Sequence, residues 1–243
     1  MVGTGQKRLQ LLWIIGPAKV VRPSSIWLIH GNWALNNSRK DGRWCGINDQ
    51  STLLVDAGCY ADFTYPSAPD ETQPTKINSI YYGCSSKDQP KGHNKGRDAR
   101  VGQFVKNGLL MMEGPLALNW RRRKMGILPS IENGDIAGSY LPTRDRVDLW
   151  IKQRISVKGK PDWIFVKVHC HGAPEKNADV LLGKPMDDMF SYLESEYNDG
   201  KQFVLHYVTA REMVNMVKAA EAEEQGNPNE YRDYMIETNK KRS

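Results

Sequence analysis

The run Trp-Ile-Phe-Val-Lys-Val at 163–168 constrains the fold most. It is short, bulky and rich in branched and aromatic side chains. Apart from Lys167 it is apolar on both faces, so it reads as a buried strand. Pro185 to Tyr197 follows with Met186, Met189, Phe190, Leu193 and Tyr197 at helical spacing. Phe203 to Val208 reads as another strand. Thr209 then stands as a helix cap, with Glu212 at the capping-box position, ahead of Met213, Val214, Val217 and Ala220. Strands alternating with helices predict an α/β fold with mostly parallel strands.

The same alternation occurs upstream. Ile26 to Ile29 is strand-like and ends at His30-Gly31-Asn32-Trp33. Asn48 or Asp49 can cap a helix carrying Leu53, Leu54 and Ala57, and Gly58 suits its end. Cys59 to Tyr65 alternates as a strand until Pro66 and Pro69 stop it, so residues 26–69 form one β-α-β unit. Residues 70–106 read as a long irregular insertion in which only Ile77 to Tyr82 is strand-like, and His93 there is expected to be a solvated loop residue. Leu109 to Trp120 reads as a strand interrupted at Gly114-Pro115. Residues 121–143 read as irregular, and Arg144 to Gln153 as a helix after Thr143. Beyond Glu221 the chain is charged and is expected to fray.

The chain has 243 residues, 40% apolar and 26% charged, with a formal charge of +6. Such a balance fits a globular protein, not a dense nucleic-acid arm. Arg121-Arg122-Arg123-Lys124 is the densest charge; a solvated strand exit is favoured over a nucleic-acid or anion site. Cys45, Cys59, Cys84 and Cys170 form no C-x-x-C pair, which disfavours a cysteine zinc cage and fits a reduced, cytoplasmic protein. No stretch approaches the roughly 20 apolar residues of a membrane helix, so no membrane partner is expected. Residues 1–25 have an atypical character. Lys7-Arg8 before Leu9 to Gly16 resembles a signal peptide, but Gln10 breaks the apolar part, which leaves secretion the minor reading.

Chemistry concentrates at Val-His-Cys-His-Gly. Alternate residues share one face of a strand, so His169 and His171 point together, with Lys167 and Phe165 behind them and Cys170 turned away. Two imidazoles on one face can bind a divalent metal, or one can transfer a proton while the other orients it. A hydrogen-bonded structural pair is the plain alternative. His30, Asn32 and Trp33 can bind a sugar, with the indole stacked on the ring and the polar groups on hydroxyls; a tight turn around a buried Trp competes with this. Asp62, inside a strand-like run, must face water, pair with a cation or act in a site. His206 reads as a core histidine.

The segment Ala-Gly-Cys-Tyr-Ala-Asp-Phe-Thr-Tyr-Pro-Ser-Ala-Pro, preceded by a strand, a glycine turn and a helix, resembles the polysaccharide deacetylase superfamily. Phe-Val-Lys-Val-His-Cys-His-Gly resembles its late Leu-x-His strand. His-Gly-Asn-Trp-Ala-Leu and Val-Leu-His-Tyr-Val-Thr-Ala-Arg-Glu-Met resemble uncharacterised bacterial members of the glycoside hydrolase/deacetylase group. The resemblance covers about residues 26–235 and rests on the order of these motifs. It implies an incomplete (β/α) barrel over residues 26–222, with 223–243 as a charged tail. It also implies a divalent metal, usually zinc, an acetylated glycan substrate, and His169 or His171 as general acid. His30 would stand where the family has Arg, and Trp33 where it has an aromatic. The chain carries no Thr-Phe-Asp-Asp-Gly motif and no His-x-x-x-His pair, so it resembles the carboxyl-terminal part of such a barrel. Little or no hydrolysis is then expected, and an open barrel edge invites self-association. Two other functions are compatible with the residues. One is a different metal hydrolase with His169 and His171 as ligands, as in amidohydrolases; the other is a non-catalytic glycan-binding protein using Trp33.

Overall fold

A computed structural model describes residues 7–14, 26–172 and 174–235. Its strands and helices, in chain order, are β1 (Lys7–Ile14), β2 (Ile26–Leu28), α1 (Gln50–Asp56), β3 (Cys59–Asp62), β4 (Ser79–Gly83) and β5 (Gly96–Asp98). Then come β6 (Leu109–Glu113), β7 (Leu116–Lys124), β8 (Leu128–Asn133), β9 (Asp135–Ile136) and α2 (Arg144–Lys152). The last third holds β10 (Trp163–Cys170), α3 (Ala178–Leu181), α4 (Lys184–Glu196), β11 (Phe203–Val208) and α5 (Ala210–Glu221).

The expected incomplete (β/α) barrel with mostly parallel strands is not what these elements build. The fold is mixed α/β, with strands divided among three sheets. One runs β11-β1-β10-β9 and is parallel. The second runs β2-β3-β6-β4-β5, with β4 antiparallel to both neighbours. The third is the antiparallel ribbon β7-β8. The physical reason lies in the connections. Parallel neighbours need a long crossover, whereas β7 and β8 are joined by a tight turn that permits only antiparallel pairing. In that turn the Lys124 carbonyl accepts the Ile127 N–H, and Met125 and Gly126 both have positive φ, the backbone of a type I′ hairpin.

β10 is the spine of the molecule. Its alternate side chains Trp163 and Phe165 pack toward the second sheet, against Phe63, Leu110 and Met112, and against Met213 and Val217 of α5. Ile164, Val166 and Val168 face the other way, onto Val147, Trp150 and Ile151 of α2 and Met186, Met189 and Leu193 of α4. One strand thus serves two cores, as its two-sided apolar character requires. Since Trp163 and Phe165 face the second sheet, Lys167 and His169 follow them toward it.

Several local expectations hold. Thr209 and Glu212 form a capping box, Gly58 has φ +88 beyond α1, and β6 stops at Gly114-Pro115, which is cis. Other expectations fail. Residues 121–143 are not irregular; they carry the end of β7, then β8 and β9. The stretch after Glu221 does not fray over its described part. Tyr231 packs on Trp163 with ring centroids 5.8 Å apart, and Asn215 of α5 donates to the Arg232 carbonyl at 2.7 Å. Lys7–Ile14, within the atypical first 25 residues, forms a strand between β10 and β11. Residues 15–25, where a signal-peptide cut would fall, and residues 236–243 lie outside the described residues. Among the described residues, no helix is long and apolar enough to cross a membrane.

Candidate functional site

The carboxyl ends of β10, β9, β3 and β6 converge where Lys167 and His169 face the second sheet. Lys167 is buried. Its Nζ donates to the carbonyls of Tyr65 and Met112, both at 2.5 Å, and so ties β10 to the ends of β3 and β6. Two carboxylates share its field. Burial pushes Asp62 up to about 6, against the pull of two hydrogen bonds from Thr64 and the charges of Lys167 and His30. Burial drives Glu113 well above the usual carboxylate range, with Lys167 opposing and Asp62 adding to the rise. Lys167 itself is lowered by burial, while Glu113 and Asp62 hold it up. A buried lysine between two buried carboxylates is strongly coupled and costly to disturb.

His169 lies one face-step beyond Lys167. Its backbone N–H donates to Gly134, which locks β9 alongside. A Cβ on Gly134 would meet the Lys167 carbonyl oxygen at 2.6 Å, so only glycine permits this approach. The approach puts Asp135 beside the imidazole, with Oδ1 3.6 Å from His169 Nε2. That carboxylate oxygen is buried and has no hydrogen-bond partner. Arg146, buried and paired with Glu132, donates to the carbonyls of Asn133, Asp135, Tyr140 and Leu141 and so fixes the segment that carries Asp135. Burial depresses His169 to about 3, assisted by the positive fields of Lys167, His171 and Arg146. His169 is therefore a neutral imidazole near pH 7, a proton acceptor first and not a standing acid. Burial raises Asp135, with His171 and Arg146 opposing.

The predicted site residues divide. His169 and His171 do come together, their rings perpendicular with centroids 6.4 Å apart. His169 is largely enclosed and His171 exposed. Asn177 is buried and donates to the His171 carbonyl while accepting from Gly138, which pins the turn after β10. Cys170 packs toward the α2–α4 core, away from the histidines as expected. His30 joins through the backbone: its N–H donates to Thr64 Oγ1 at 2.7 Å, and that hydroxyl donates to Asp62 at 2.7 Å. Its ring Nδ1 contacts the Gly31 carbonyl. Asp62 is enclosed, so it reaches the site surface only through Thr64. Asn32 is exposed. Trp33 is half-buried against the core of the second sheet, closer to the tight-turn reading than to an open stacking platform.

His93 is a correction. It is fully buried, not solvated. Asn36 Nδ2 meets His93 Nδ1 at 3.1 Å, and the ring packs on Tyr65. The insertion folds back over the second sheet, and a polar sequence gave no periodic signal of that.

Asp135, Glu113 and Thr64 escaped the sequence reading. Their signals were present. Glu113 ends the apolar run Leu-Leu-Met-Met, just as Asp62 ends Tyr-Ala, and Asp135 follows a glycine in Glu-Asn-Gly-Asp. Among the described residues, no three His, Cys, Asp or Glu side chains are grouped to hold a metal ion. Zinc binding needs such a grouping, so the chemistry of His169 is derived without a metal. No protein-family model, no curated protein and no solved structure matches the chain.

Proposed function

We propose that the protein is a carbohydrate deacetylase-like protein that engages an acetylated glycan at the strand ends, with His169 as its proton-transfer group. The observation that carries this reading is the His169–Asp135 pair. A neutral imidazole sits 3.6 Å from a carboxylate oxygen that has no partner of its own, and the other proton-bearing groups of the site gather behind it. In hydrolysis of an acetyl group, His169 accepts a proton from the attacking water as its oxygen bonds to the carbonyl carbon. The imidazolium then returns that proton to the leaving amine or hydroxyl as the acyl bond breaks. Asp135 steadies the imidazolium between the two steps. Lys167 and Arg146 oppose it, so the protonated state is costly. Together with the missing Asp-Asp and His-x-x-x-His motifs, this predicts slow turnover or none. The four cysteines are free, in keeping with a reducing, cytoplasmic setting.

The test titrates N-acetylated oligosaccharides into the protein while following histidine ring resonances and acetate release. His169 and His171 resonances are expected to move, with acetate appearing slowly and not at all after His169→Ala. Unmoved resonances across acetylated glycans sink the reading. Robust turnover abolished by chelation overturns its metal-free chemistry.

A further inference from the structure

The β7–β8 ribbon carries an apolar surface that the strand-end site does not use. At its turn, Met125, Ile127 and Leu128 are 93%, 76% and 62% exposed. Leu118 and Ile131 are cross-strand neighbours, and both are exposed, as is Trp120. The opposite face, with Asn119, Ser130 and Glu132, is buried against the body. The ribbon is thus anchored on one face and bare on the other. Isolated exposed apolar residues are ordinary, but a contiguous apolar tip and stripe mark an interaction surface.

The charge identifies the partner. Arg121, Arg122, Arg123 and Lys124 lie immediately behind the tip, all exposed. Arg121 is met by Asp145. Arg122 lies over the Tyr140 ring, 4.8 Å from its centroid, and Arg123 Nε donates to the Trp120 carbonyl. Neither contact cancels a charge. We propose that this ribbon docks on an anionic lipid bilayer surface. Met125, Ile127 and Leu128 enter the boundary between headgroups and acyl chains. Arg122, Arg123 and Lys124 lie at the phosphate level, and Trp120 takes the interfacial depth that indoles favour. A nucleic acid would meet the cations but leave the apolar tip in water. A second copy of the chain in a two-fold contact would bring two basic runs together. The formal charge of +6 favours an anionic surface overall. Such docking needs no spanning segment.

The test is sedimentation of the full chain with phosphatidylcholine vesicles, with and without phosphatidylserine. Binding to the anionic vesicles only, weakening as salt rises, is expected. Met125→Asp/Ile127→Asp and Arg122→Glu/Arg123→Glu should each reduce partitioning by about tenfold or more while circular dichroism stays unchanged. No binding to anionic vesicles at low salt overturns the proposal, as does binding that survives both variants. Two further outcomes also overturn it: a dimer in solution that Met125→Asp/Ile127→Asp dissolves, or duplex DNA binding in the absence of vesicle binding.

Discussion

His93 and His169 have the same depressed pKa, about 3, from the same leading cause, burial. Their surroundings differ. His93 is sealed by Asn36, Tyr65 and the Tyr81 hydroxyl, which donates to the His93 carbonyl, and the Lys91 charge adds to the fall. Its Nε2 is buried without a partner, and no charged side chain is bonded to it. His169 stands at a strand end with an unpartnered carboxylate oxygen beside it, an exposed histidine two residues on, and Lys167, Asp62 and Glu113 behind. Burial alone therefore does not mark a site. Access, together with a partner placed just beyond bonding distance, does. The sealed region should register perturbation as stability and the open one as chemistry.

The largest effect should come from the charged floor under His169. Lys167→Met strands two buried carboxylates and is expected to cost about 3–5 kcal/mol, read by urea denaturation. A loss below about 1 kcal/mol would show that Asp62 and Glu113 are both protonated and need no counter-charge. Next, His93→Ala removes a packed ring and its bond to Asn36, for about 2–4 kcal/mol. Glycan-induced shifts at His169 should persist in the folded fraction. His169→Ala should do the reverse, with stability within about 1 kcal/mol and the glycan response gone. If His93→Ala silences the glycan response while the protein remains folded, the contrast fails.

How much of this was legible beforehand depended on whether a residue's neighbours were near in sequence. β10, α4, β11 and α5 follow from apolar periodicity and from the Thr209–Glu212 box, and the shared face of His169 and His171 follows from strand alternation. Asp135 could not be placed that way. It reaches His169 because Gly134 passes over the Lys167 carbonyl and Arg146 grips the intervening carbonyls, contacts between segments with no local signature. The barrel expectation failed for a related reason. β2, β3, β4, β6, β10 and β11 were readable, but β1, β5, β8 and β9 were not, and the antiparallel pairing of the ribbon is decided by turn geometry at residues such as Met125, where a left-handed non-glycine is uncommon. His93 was misread because a polar insertion can fold back and bury a ring without any periodic pattern.

The two histidines should also be visible together as acid sensitivity. Each is held neutral from the ordinary 6.5 down to about 3. Between those values the unfolded chain binds more protons, so stability falls as pH drops through the window. Asp62, Glu113 and Asp135 are all raised by burial, bind their protons more readily when folded and oppose that fall. The histidine share is isolated by comparing thermal melts of the wild type and His93→Gln between about pH 7 and 4. His93→Gln should gain stability relative to the wild type as pH falls, and a variant whose curve runs parallel to the wild type's would remove His93 from the account.

The smallest effect tests the feature that separates the two regions. Asp135→Asn keeps the shape and the Arg146 contacts, which are to the backbone, while removing the charge 3.6 Å from His169 Nε2. Stability should change by less than about 1 kcal/mol, since the side chain is partly exposed and its Oδ1 makes no hydrogen bond. Any residual acetate release should fall by about tenfold, because the imidazolium formed during proton transfer loses its neighbouring anion. A structural carboxylate would move the melting temperature and leave acetate release untouched. A carboxylate that serves His169 lowers acetate release at neutral pH and leaves the melting temperature nearly where it was.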